Sequence, residues 1–195
     1  MNTSRHTKTH SGRKSFCLLR PFHRFARNGE GSVAIEFAAL ALPFALLVFA
    51  ILESCISFAS QQVLMNTTDD VARLFRTGQL RPADIEKDKD LVRNLICDRL
   101  EVVVTDGCPG LLVDLKPHAT YAQAAAVRIK FTPDNDIDDS EFSIAPGKSE
   151  SINQLRVFYK WPVMTDFLRK SMSNLKDGKT MHFATVTWKN EPFND

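Results

Sequence analysis

The hydrophobic pattern changes character twice along this chain. Residues 37–52 are apolar without exception, counting Pro43. At about 1.5 Å rise per residue such a run covers roughly 24 Å of helix. A bilayer's hydrocarbon layer is roughly 30 Å thick, so a membrane span would have to borrow residues 33–35 or residues 54–59. Either extension brings a glutamate, Glu36 or Glu53, toward lipid. Past the run, Val63, Leu64, Thr67, Val71, Leu74 and Phe75 recur near helical spacing, which predicts one long helix over 32–76. Proline is tolerated inside membrane helices, and Pro43 is expected to kink this one. Gly78 reads as the helix stop. Pro82 opens a second helix whose first turn holds Asp84 and Glu86, suiting its N-terminal dipole, and whose apolar face is Leu91, Leu95 and Ile96. The charged run 86–90 reads as a solvated surface.

Beyond Gly110 the period shortens. Residues 111–115, 125–131, 155–161 and 183–188 are short, rich in β-branched and aromatic side chains, and bounded by Pro, Gly, Asn and Asp. Val127, Ile129 and Phe131 alternate with Arg128 and Lys130, the mark of a half-buried strand. Residues 163–172 form a connecting helix after Pro162, with Phe167 and Leu168 packed inward. The expected fold is therefore α+β: a long N-terminal transmembrane helix, then a small exported domain with an antiparallel sheet and short helices. Its expected divisions are a basic cytoplasmic leader (1–31), a transmembrane and stalk helix (32–78), and the exported domain (79–195). A chain of 195 residues has room for one such domain but hardly for two large ones.

Charge assigns an orientation to that helix. The leader carries Arg5, Lys8, Arg13, Lys14, Arg20, Arg24 and Arg27 against Glu30, a net +6, leaving 18 basic and 22 acidic residues, a net −4, in the rest. Lys and Arg ahead of an apolar span resist translocation and hold their side in the cytoplasm. This explains the basic arm better than phosphate binding does, and no nucleic-acid partner is expected. Nor is the apolar run a cleaved secretory signal, because it continues into a helical pattern instead of a small-residue exit.

The two glutamates have different expectations. Glu53 lies near the outer end of the span beside Ser54 and Ser57, where its side chain can snorkel to the interface. Glu36 stands four residues after Ser32 at the start of the apolar run, where a buried carboxylate costs about 2–4 kcal/mol and calls for a partner. A cut between Gly31 and Ser32 would create an α-amine one helical turn away, a counter-charge on the same or a neighbouring chain.

Cysteine placement tests the same topology. Cys17 falls in the leader and Cys55 in the span, leaving Cys97 and Cys108 as the pair in the exported part. In an oxidising compartment they are a disulfide candidate whose closure would stabilise the domain by about 2–3 kcal/mol, and in a cytosolic domain they would be two thiols. Without nearby histidines they do not make a zinc site. The acidic run 134–141 offers oxygen ligands, but Asp139 stands where an EF-hand needs glycine, and a solvated loop is the better reading. His118 and His182 are isolated, His182 at the head of a strand as a packed or surface residue. No nucleophile elbow or phosphate loop occurs. No catalytic residue, metal or cofactor is expected.

Gly31-Ser32-Val33-Ala34-Ile35-Glu36-Phe37 resembles a prepilin peptidase site, with glycine before the cut and glutamate at the fifth mature position; Glu36-Phe37 is similar to the Flp and Tad class. The continuation to Pro43 with its apolar tail, the segment Phe158-Tyr159-Lys160-Trp161-Pro162, and the closing Trp188-Lys189-Asn190-Glu191-Pro192-Phe193 resemble the TadE-like family of pilus assembly proteins. Two departures are Glu30 directly before the glycine, where such sites are more often approached by basic residues, and the long leader. The resemblance implies a bitopic minor pilin or pseudopilin of the inner membrane, with its C-terminal domain outside the cytoplasm. It further implies prepilin peptidase, other pilin-like subunits, the Tad assembly machinery and membrane lipid as partners. The contrasting expectation is a single-pass receptor or adhesin whose uncut anchor displays a ligand-binding domain.

Overall fold

The computed structural model describes residues 32–193. Gly31 and the leader lie outside the described residues. The chain divides into two compact units at Leu47/Val48. Helix α1, Ser32–Arg76, is 45 residues long and runs through Pro43 without interruption. Its part in the first unit, Val33 onward, is almost wholly exposed.

In the second unit the elements after α1 are α2 (Pro82–Lys87), α3 (Leu91–Leu100), β1 (Leu111–His118), α4 (Tyr121–Ala126), β2 (Ile152–Pro162), α5 (Asp166–Met172), a 3₁₀ turn (Lys176–Gly178) and β3 (Lys179–Lys189). The strands form one antiparallel sheet in the order β1-β2-β3. Central β2 is buried on both faces, so its burial runs nearly unbroken from Asn153 to Tyr159. Register sorts the two faces. Leu155 pairs with Leu115 and Val186, and Val157 with Val113 and Ala184. That face packs with Leu64, Val71, Phe75, Val92, Ile96 and Leu100 of the helices in the main core. Opposite it, Phe158 joins Ile137 and Leu175 in a smaller cluster beneath the loops. Each fully buried side chain of this size contributes about 1.5–3 kcal/mol, which makes the larger face the main source of stability.

Three sequence expectations are corrected. Residues 125–131 do not form a strand: α4 occupies the start, and Phe131 makes only an isolated bridge to Ile137. The carbonyls of Ala124 and Arg128 accept hydrogen bonds from the Gln154 and Arg156 side chains, so β2 holds this stretch over the sheet by side chains rather than by a ladder. The helix expected from Pro82 is broken in two at residues 88–90, where the Asp88 carboxylate accepts from the Asp90 N–H, a local turn that competes with helix. Finally, Pro162 ends β2 opposite Lys179, and α5 starts only at Asp166. Leu168 is half-buried, and the Phe167 side chain lies outside the described residues.

The stop after α1 is a Schellman motif. Gly78 N–H donates to Phe75 O and Gln79 N–H to Leu74 O, with Gly78 at φ +70°. A Cβ built there would also stand 2.8 Å from the Phe193 ring. Gly78→Ala therefore combines left-handed strain with displacement of the C-terminal segment, and thermal unfolding in detergent should show a loss of about 1 kcal/mol or more relative to wild type.

Candidate functional site

Of the residues singled out for processing, the structure describes three. Ser32 is the first residue of α1, and Glu36 lies one helical turn on, on the same face. Phe37 is exposed, as are Val33, Ile35 and most apolar side chains to Leu52. This stretch is apolar and uncovered, and α1 contains the described helix long and apolar enough to cross a membrane.

From Glu53 onward the same helix changes role. The Glu53 carboxylate accepts the backbone N–H of Met164 at 2.6 Å and of Thr165 at 3.1 Å, holding the residues that lead into α5. The carboxylate expected to snorkel is thus clamped to its own domain. Charge-assisted bonds of this kind are roughly twice as strong as neutral ones. One turn on, Ser57 Oγ and His182 Nε2 share a hydrogen bond of 3.0 Å. A further turn up, Gln61 meets the open edge of β3 as a strand would: its Nε2 donates to Phe183 O at 2.9 Å and its Oε1 accepts from Phe183 N at 3.2 Å. A side-chain amide thereby satisfies both backbone groups of one edge residue.

The aromatic and terminal segments quoted above for the resemblance complete this docking. Trp161 stacks on the His182 ring with centroids 5.3 Å apart, and Tyr159 lies against Trp161. Trp188 stacks on Phe75 of α1 and donates from Nε1 to Asn190 Oδ1 at 2.8 Å. Asn190 in turn donates from Nδ2 to the carbonyls of Gly147 and Lys148, and Glu191 N–H donates to Arg76 O at the helix end. The closing segment ties the C-terminus of α1 to the loop before β2.

Two further features stiffen the domain. Cys97 and Cys108 are joined by a disulfide that ties the end of α3 to the turn before β1. Among the described residues, Cys97, Glu101 and Cys108 are the group of potential metal ligands that lies close together, and the disulfide consumes both sulfurs. On the other face of the sheet, buried Arg156 donates from Nε and Nη2 to Asp114 Oδ2, at 3.1 and 2.5 Å, and lies over the Phe142 and Phe158 rings. Removing Asp114 would leave the buried Arg156 charge uncompensated, whereas Asp114 also has Lys116 Nζ at 3.2 Å. In the acidic run, Asp136 pairs with Lys160, Asp134 with Lys176 and Glu141 with Lys130. Burial opposes the charge on Asp136, but bonds from Lys160 and the Ile137 N–H outweigh it and hold its pKa below the ordinary 3.8.

The architecture is that of a helix-anchored α+β protein whose apolar half-helix stands uncovered and whose domain is built onto the other half. Residues 31–73 match the model of the family described as TadE-like protein, and over that segment the chain is similar to that family. This family is one of pilin-like components of the Tad pilus with an N-terminal apolar helix, structural proteins as a rule rather than enzymes. No curated protein and no solved structure matches the chain significantly.

Neither Gln61 nor the clamp on Glu53 carries a motif; only polar residues on the packed face of α1, at the spacing Glu53, Ser57, Gln61, could have pointed to them. His182 is buried, its Nδ1 has no hydrogen-bond partner, and burial pushes its pKa down from 6.5 to about 4. The folded state therefore binds fewer protons than the unfolded one between those values, and stability falls as pH drops from about 6.5 toward 4. Asp136 and Asp138, both held below 3.8, titrate beneath this window. The melting temperature should decline between pH 7 and pH 5, and His182→Gln should flatten that decline; an equal slope in both proteins would remove His182 as its source.

Proposed function

We propose that the chain is a pilin-like subunit of a tight-adherence pilus or related secretion machine, held in the inner membrane by α1 with its domain outside the cytoplasm. Prepilin peptidase cuts after Gly31, leaving Ser32 as the mature N-terminus. Glu36 then pairs with that new amine, on its own or a neighbouring chain, as the apolar half of α1 packs among other pilin-like subunits and the Tad assembly machinery. The observation that carries this reading is the family match, which begins at Gly31 and takes in the candidate cut site, the span and the stalk. An extracytoplasmic domain is supported by the Cys97–Cys108 disulfide, since such bonds persist in oxidising compartments, and by the basic leader, which belongs on the cytoplasmic side.

Mass spectrometry of the protein from membranes with and without prepilin peptidase should find Ser32 at the N-terminus only when the peptidase is present. Met1 retained in both would turn the reading toward an uncut receptor. Glu36→Ala should leave the protein in the membrane but impair its entry into pilus complexes, scored by co-purification and piliation. Normal complexes and unchanged piliation would remove the amine–carboxylate pairing.

A further inference from the structure

Alpha-helix α1 carries two different boundaries on its two sides. On the side that meets the domain, the lowest contacts are Glu53 with Met164 and Thr165, and Ser54 Oγ with Met172 Sδ at 3.9 Å. On the other side the apolar surface continues upward. Ile56 is 52 % exposed and Phe58 75 % exposed, with Cys55 and Ala59 exposed beside them. Only at Gln62 and Asn66, which hydrogen-bond to each other at the surface, does that side become polar, and the first charge after Glu53 is Asp69.

The height difference decides the matter. From Glu53 to Phe58 the helix rises about 7.5 Å. A span of roughly 30 Å is completed by residues 33–35 or by residues 54–59; where lipid covers the exposed Ile56 and Phe58, as in the second extension, the level of Glu53 lies below the lipid surface. Residues 163–172 are fixed at that level and must lie there too. Their composition suits it. Met164 is 79 % exposed, although an unbranched apolar side chain gains nothing from water. Arg169 and Lys170 are exposed beside it, and the surface pair of Arg169 with Asp166 is weak enough to yield to another anion.

We propose that residues 163–172 are a second membrane contact: a short amphipathic foot that rests in the headgroup layer of the leaflet from which α1 emerges. Met164 enters the acyl boundary and Arg169 and Lys170 meet lipid phosphate. The Glu53 clamp sets its depth. This inference rests on the reading of α1 as a membrane span.

The test uses the full chain in phospholipid nanodiscs containing phosphatidylglycerol, with Cys17→Ser and Cys55→Ser and the disulfide retained. A nitroxide is attached in turn at Met164→Cys, at Leu47→Cys within the span, and at Val102→Cys, which is 84 % exposed on the domain. Collision with lipid-soluble oxygen is compared with collision with a water-soluble nickel chelate. The oxygen-to-nickel ratio at Met164 should stand several-fold above that at Val102 and below that at Leu47. A ratio at Met164 equal to that at Val102, with Leu47 in lipid, would overturn the foot and leave the span intact. Shielding of Met164 from both reagents would assign the surface to a protein neighbour and also overturn it. A water-like ratio at Leu47 would overturn the span and the foot together.

Discussion

Everything in this structure depends on one continuous helix that has to satisfy apolar surroundings over its first half and a folded domain over its second. The first half presents Val33, Phe37, Leu40, Phe44 and Phe49 without cover from the other described residues, while the second buries Leu64, Val71, Ala72 and Phe75 in the main core. Apolar side chains alone could not mark where one regime ends, because both surroundings reward the same residues. Polar groups mark it instead. Glu53, Ser57 and Gln61 each find a partner on the domain, so the helix is fixed in rotation and in height against α5 and β3. A slip of one residue would turn all three away from their partners at once.

Polar fixing is needed because β3 is an edge strand. An uncovered edge invites another strand, and closing it removes that liability. Gln61 closes β3 at Phe183, and the Asn174 side chain accepts the Met181 N–H lower down. At the other edge, the main chain of residues 143–145 bonds to Leu115 on β1, and Pro117, having no N–H, offers nothing to a visiting strand. The sheet is small, and its borders are held largely by groups outside it.

What the sequence made legible follows from which features are local. The long helix was visible in its 3.6-residue period, its end in Gly78, and three strands in their β-branched and aromatic runs. Residues 125–131 misled because alternation shows that a segment has two faces but not that another strand lies beside it. Here Gln154 and Arg156 capture the carbonyls that a ladder would have used. The break at 88–90 was hidden because Asp and Lys are acceptable on a helix surface, and only the Asp88 side chain turning back on the main chain ends it. Partners such as Gln61 with Phe183, or Glu53 with Met164, lie more than a hundred residues apart, and no spacing rule reaches across such a distance.

The two glutamates of α1 show how surroundings divide one chemistry into two roles. Both flank the same apolar run, and their different positions along it already separated the expectations for them. Glu53 is engaged by main-chain N–H groups of its own domain, so its charge serves the internal geometry and is spent on height and rotation. Glu36 stands where the family match begins, on the turns that follow Ser32, within a stretch whose apolar neighbours are exposed. The clamp at Glu53 locks the second part of α1 to its own domain through the main chain of Met164 and Thr165.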